Sequence, residues 1–209
     1  MEERPVKEKE KSSSPLILNR SYLITSTALF STIALVMDLI PNLRVPWGMK
    51  VDLVGTIWVL SYFLNGLISA LMVSTITTFG MIVLGSSGYI GPIMKFVATI
   101  PMFLIPEIII SLPFFKDKHS DLLGRWELLL ASLFLANGVR ILVTSALNLY
   151  VAIPIWWGIP PKEVLGRFGG VIGFFAFIVS LNLLQGVVDI IVPWFIGYKM
   201  RLVERFGTW

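Results

Sequence analysis

The sequence predicts an all-α membrane protein of six transmembrane helices with both termini cytoplasmic, and three observations carry that prediction. Of 209 residues, 56% are hydrophobic and only 14% charged, with a mean hydropathy of +0.81, far from the balance of a soluble domain. Six apolar runs match, or nearly match, the roughly 20 residues of helix needed to cross a hydrocarbon core of about 30 Å. Lysine and arginine collect in the segments that an even number of spans puts on one side of the bilayer.

Residues 1–20, opening "MEERPVKEKEKSSSP", mix both charge signs with Ser and Pro and read as a disordered cytoplasmic tail. Residues 21–209 read as the transmembrane domain. The first apolar run is a retained helix rather than a secretory signal, because it is long, contains Asp38 and lacks a small-residue cleavage site. The runs are approximately Leu23–Leu43, Val51–Leu64, Leu67–Leu84, Ile93–Phe115, Leu128–Ile153 and Val171–Tyr198. Only Asn65-Gly66 separates the second from the third, so these two form either a tight helical hairpin or one irregular pair.

With both termini inside, the cytoplasmic side holds Arg4, Lys7, Lys9, Lys11, Arg20, Lys116, Lys118, Arg125, Lys199, Arg201 and Arg205. The outer side holds Arg44, Lys50, Lys162 and Arg167. This excess sets the orientation and accounts for most of the basic character. No basic stripe with interleaved aromatics appears in a polar segment, so nucleic acid is not an expected partner.

Within the spans, polar residues fall in stripes. Asn182, Gln185 and Asp189 in the last run are spaced i, i+3, i+7 and share one helix face. Asn137, Arg140, Thr144 and Asn148 do the same in the fifth run. Ionisable groups at membrane depth are expensive unless paired or wet. Arg140 and Asp189 fall at a similar depth and are expected to form a buried ion pair, with Glu107 of the fourth run as the competing partner. Asn148, Asn182 and Gln185 lie in the outer half. Their amides suit an uncharged ligand rich in hydroxyls and heteroaromatic nitrogens, or alternatively join helix to helix.

The outer loops bring further candidates to that level. "IPNLRVPWGMKVDL" (40–53) reads as a rigid segment able to cap a pocket, carrying Trp47 and the neighbours Lys50 and Asp52. In "GSSGYIGPIMKF" (85–96), Tyr89 precedes Pro92 at a plausible first helical position, and Lys95 either snorkels outward or reaches a ligand. Trp156 and Trp157 in "YVAIPIWWGIPP" (150–161) read as an aromatic belt or as a stacking surface for a flat ring, and Trp47 equally as an interfacial anchor. Thr27/Ser31 and Ala28/Thr32 are small pairs four apart on the first helix, which serve internal packing or a partner subunit.

Other chemistry is missing. The chain has no cysteine, and its one histidine, His119, sits in a charged loop and reads as a solvated residue rather than a metal ligand. Neither a GxxxxGK[ST] phosphate loop nor an HExxH motif occurs, so an autonomous ATP-driven pump is excluded, and neither catalysis, cofactor nor metal is expected.

Four motifs in order resemble one family. "MKVDL" is similar to a Leu-x-Leu-Asp-Phe start of helix two, "GYIGPIMKF" to a Gly-x-x-x-Gly-Pro start of helix four, "SALNLYVAIPIWWG" to a Leu-Asn-Tyr…Leu-Pro-Leu-Tyr-Gly end of helix five, and "SLNLLQGVV" to Phe-Asn-x-x-Lys-Gly in helix six. Over roughly residues 23 to 205 the chain thereby resembles the substrate-binding S components of energy-coupling factor (ECF) vitamin transporters, most closely the riboflavin-binding type. The resemblance implies a six-helix bundle in the cell membrane that captures a vitamin from outside and passes it inward with a transmembrane T subunit and two ATPase subunits.

It implies ligand contacts from Asn148 and Asn182, and a T-subunit docking patch on helix one, here Ala28, Ser31, Thr32 and Ala34. Gln185 stands where the riboflavin type has lysine, Lys95 where it has an uncharged residue, and Gly55 where it has a second acidic residue. The full set of candidate ligand-binding residues is Asn148, Asn182, Gln185, Lys95, Asp52, Trp47, Tyr89 and Trp156. Riboflavin or a flavin is the first expectation, another heteroaromatic vitamin or a nucleobase-like precursor the second. A membrane assembly protein whose polar stripes hold helices together is the reading from a different class.

Overall fold

Proline and glycine set most of the helix boundaries. The computed structural model describes residues 20–40, 43–44, 50–85, 88–115 and 120–209. Trp47, His119 and all of the expected tail but Arg20 lie outside the described residues. Helix α1 spans Arg20–Leu39, and a two-stranded ribbon follows, β1 (Leu43–Arg44) antiparallel to β2 (Lys50–Val51) with Leu43 opposite Val51. Then come α2 (Val54–Leu84), α3 (Ile90–Ile110) and α4 (Trp126–Leu147). A π-helical turn, Asn148–Ala152, leads from α4 into α5 (Ile153–Trp157), where the Ile153 N–H reaches back five residues to the Asn148 carbonyl. Pro154 lacks the N–H that would continue a regular ladder, which favours the wider turn at this point. Helices α6 (Pro161–Arg167), α7 (Val171–Trp194) and α8 (Leu202–Phe206) complete the chain, with a second π turn, Phe195–Lys199, shortly after Pro193.

Five helical stretches are long and apolar enough to cross a membrane: α1, α2, α3, α4 with α5, and α7 with its π turn. The chain is a multi-pass membrane protein. The second and third apolar runs of the sequence are the two arms of α2, joined at Gly66, where φ is 82° and ψ −178°. Glycine adopts that backbone without a Cβ penalty. A straight helix would put Val54 and Met81 about 40 Å apart at 1.5 Å per residue, yet both belong to one apolar cluster with Ala34, Trp58 and Val73. The chain therefore doubles back at Gly66.

The first arm is the hub of the bundle. From Val54 to Asn65 every residue is buried except half-buried Ile57, the burial expected of a predominantly apolar helix at the centre of a bundle. Around it Tyr62, Phe63, Met102, Phe103, Ile110, Leu123 and Ile190 form the largest apolar core. Its break needs capping, because an interrupted helix strands buried carbonyls that need other partners. The C-terminal residues supply the caps. Thr208 N–H donates to the Leu64 carbonyl at 2.9 Å and Trp209 Nε1 to the Tyr62 carbonyl at 3.0 Å. The Trp209 ring packs on Tyr62, 5.2 Å between centroids, and closes over Gly66.

Helix α1 packs along α2, and this corrects part of the expected docking patch. Ser31 and Ala34 are buried inside the chain beside Thr27, and only Ala28 and Thr32 stay on the exposed face. Small residues permit close approach of any helix, and here the neighbour is α2. Between α4 and α7, Gly186 has no side chain where the Asn137 carboxamide enters, which brings the two polar stripes together.

Gly66→Ala should destabilise the protein by about 1–3 kcal/mol from backbone strain, since φ is 82° there. Thermal unfolding of the detergent-purified variant should show a lower Tm; an unchanged Tm would contradict the break as described.

Candidate functional site

The segment leading into α2, the far end of its second arm and the stripes of α4 and α7 converge on one cavity of ≈ 250 Å³. Asp38 at the end of α1 and Lys50 and Asp52 ahead of α2 line one side, Met81 and Gly85 at the far end of α2 another, and Lys95 and Ala98 of α3 a third. Arg140 and Thr144 of α4, Asn148 of the π turn, Trp156 of α5 and Asn182 of α7 close it. The first arm of α2, residues 54–65, is about 18 Å long, too short for a hydrocarbon core of about 30 Å. Asp52 is buried at the start of the hub.

Among the described residues, every charge in the cavity wall is matched. Lys50 Nζ lies 2.9 Å from Asp38 Oδ1, Lys95 pairs with Asp52, and Arg140 Nη1 lies 2.9 Å from Asp189 Oδ2, which is fully buried behind the wall. Three cations (Lys50, Lys95, Arg140) face three carboxylates (Asp38, Asp52, Asp189), so the site carries no net formal charge. An isolated ion here would cost several kcal/mol. The expected Arg140–Asp189 pair is present. Glu107 does not compete for Arg140; it accepts a hydrogen bond from the Tyr62 hydroxyl at 3.2 Å.

The uncharged groups are poised differently. Asn148 Nδ2 donates to the Thr144 carbonyl at 2.8 Å, and its Oδ1 is open among the described residues. Asn182 Nδ2 donates to the Ile178 carbonyl at 2.9 Å, while its Oδ1 faces Arg140 Nε at 3.4 Å. Asp52 Oδ1 accepts the Val54 N–H at 2.9 Å, capping the first turn of α2, and its Oδ2 is buried with no hydrogen-bond partner. Trp156 gives the cavity its aromatic wall. Its neighbour Trp157 is committed elsewhere, stacked on Phe168 at 5.9 Å beneath the Arg167 guanidinium.

Of the residues singled out in the sequence, Asp52, Lys95, Asn148, Trp156 and Asn182 meet at this cavity. Two do not. Tyr89 is 59% exposed and lies outside the wall, because it precedes the first turn of α3. Gln185 is buried behind the wall and bonded to Asp52 and Asp189. Asp38, Met81 and Gly85 line the cavity without having stood out in the sequence. A carboxylate closing an apolar run twelve residues before a lysine was the available signal for Asp38. The sequence neighbours Lys50 and Asp52 turn to different partners.

Two departures from the resembling family's pattern are physically linked. A Cβ on Gly55 would come within 2.7 Å of all three Asp189 carboxylate atoms. The space of an acidic side chain on α2 is thus taken by a carboxylate from α7. Its counter-charge comes from Arg140 on α4, and the position one turn before Asp189 holds the neutral Gln185.

No protein-family profile matches the chain, and neither does any curated protein. Among solved structures, the S component of a bacterial ECF transporter superposes with a TM-score of 0.65 at 20% identity, covering 90% of this chain and 98% of that one. The chain shares its fold with that S component.

Asp189→Ala should leave the buried Arg140 without its counter-charge and lower stability by about 3–5 kcal/mol. Replacing Arg140 by Met as well should recover part of that loss, since contacting residues do not add. Denaturant or thermal unfolding of the two single variants and the double variant checks this; simple additivity would contradict the pair.

Proposed function

We propose that the chain is the substrate-binding S component of an ECF-type vitamin importer, with riboflavin or a related flavin as the first candidate. The observation that carries the reading is the electrically balanced cavity, which presents the open Asn148 Oδ1, the Asn182 amide beside Arg140 and one aromatic wall. The shared fold supports the component class. The chain has six membrane segments, counting the arms of α2 separately, and both termini are cytoplasmic. That topology turns the cavity toward the outer leaflet. A flavin ring is flat and uncharged and carries adjacent donors and acceptors along one edge. Amides match such an edge because each offers a donor and an acceptor together, and Trp156 offers a stacking face.

Import then divides between subunits. Capture is the work of this chain, in which a few placed polar groups orient a ligand against apolar walls. Release and energy come from a transmembrane T subunit and two ATPase subunits, since the chain has no phosphate-binding loop of its own. Ala28 and Thr32, on the exposed face of α1, are the remaining candidates for docking the T subunit.

A second reading within the class is favoured by size. At ≈ 250 Å³ the cavity falls below the roughly 300–1,000 Å³ of typical ligand pockets, which suits a smaller heteroaromatic vitamin or a nucleobase-like precursor. The assembly-protein reading fits less well. Groups that only join helices would bond each other, whereas Asn148 Oδ1 has no helix partner and Asn148 lines the cavity.

Titration of the purified protein should quench riboflavin fluorescence, and Asn148→Ala or Asn182→Ala should each weaken binding by about 1–3 kcal/mol, the cost of stranding a hydrogen-bond partner. Absence of quenching, with another heterocycle bound in its place, would reject the flavin and keep the component class.

A further inference from the structure

Gln185 shares the α7 face with Asn182 and Asp189, yet its carboxamide turns away from the cavity to the segment that leads into α2. Its Oε1 accepts the Asp52 N–H at 3.1 Å, and its Nε2 donates to the Asp52 carbonyl at 2.8 Å. The same Nε2 donates to Asp189 Oδ1 at 2.8 Å. Asp52 lies between β2 and α2, so neither a sheet nor a helix ladder supplies its backbone partners. One side chain therefore pairs with both backbone groups of one residue, as an adjoining strand would. Only a carboxamide carries the neutral donor and acceptor side by side that this requires.

The pairing fixes a residue whose own carboxylate is unevenly used. Oδ1 takes the Val54 N–H and the Lys95 ammonium, while Oδ2 has no donor although Asp52 is 7% exposed and lines the cavity. A buried acceptor left bare is costly, and a ligand N–H or O–H would satisfy it. We propose that Gln185 is a positioning residue: it clamps the Asp52 backbone to the Arg140–Asp189 anchor so that Asp52 Oδ2 stays presented to a donor group of the bound ligand. This rests on the cavity being the ligand site. It assigns Gln185 a role through Asp52 rather than contact with the ligand, and it requires the ligand to bring a hydrogen-bond donor to the α2 side of the cavity.

Hydrogen–deuterium exchange and riboflavin titration of the full chain test it together, with Gln185→Leu and the equally long Gln185→Met as alternatives should one fail to fold. Exchange protection of the Asp52 amide should be lost in the variant while the amides of α3 and α4 stay protected. Riboflavin should bind about tenfold more weakly or worse, the scale of one buried hydrogen bond. In an Asp52→Ala background the Gln185 change should cost no further affinity, because its effect runs through that carboxylate. An Asp52 amide that stays protected, or affinity losses that multiply, would overturn the proposal. Should the wild-type protein fail to bind riboflavin, the flavin assignment falls alone, and Asp52 exchange still decides the role of Gln185.

Discussion

A charge at membrane depth has to be neutralised by the protein itself, and that constraint organises this molecule around Arg140 and Asp189. The pair joins α4 to α7 at 2.9 Å with both side chains buried. It stands only because Gly55 leaves room on α2 for the carboxylate and because Gln185 occupies the second carboxylate oxygen. From Gln185 the network runs to the Asp52 backbone and from Asp52 to Lys95. Five residues on three long helices and the α2 approach are thereby tied into one body, and the cavity lies along it. Within lipid, apolar packing alone gives little preference for protein over lipid contacts, so these polar links are what make the arrangement specific.

The second constraint is that backbone polar groups also need partners there. The hub arm of α2 stops at Gly66, and the C-terminal Thr208 and Trp209 close the gap. Its other end is capped by Asp52. The same short helix therefore carries the structural break at one end and the cavity-lining Asp52 carboxylate at the other.

Much of the bundle was legible in the sequence because membrane spans are written as long apolar runs and because helical phase is simple. The i, i+3, i+7 spacing of the two polar stripes, with similar depth, was enough to pair Arg140 with Asp189. Phase alone could not tell which way each stripe residue leans, so Gln185 read as a ligand contact. Its true partner is the backbone of a residue 133 positions away, and backbone groups leave no mark in the sequence. Ser31 and Ala34 were ambiguous for a different reason: small residues invite any helix, and α2 arrived first. Tyr89 stood near the right loop but before the first turn of α3, one step outside the wall. Asn65-Gly66 left the course of the chain open; the helix breaks at Gly66, and the cluster shared by Val54 and Met81 shows that the chain turns back there.

The central claim is that the balanced cavity bounded by α2, α3, α4 and α7 holds a small uncharged molecule. Native mass spectrometry of the protein released from detergent, alongside an Ala98→Trp variant that fills the cavity from α3, addresses it most directly. The account predicts a small-molecule adduct on the wild-type protein that is missing from the folded variant. An adduct retained by the variant, or a wild-type protein that takes up no heterocyclic vitamin when offered a panel of them, would contradict it.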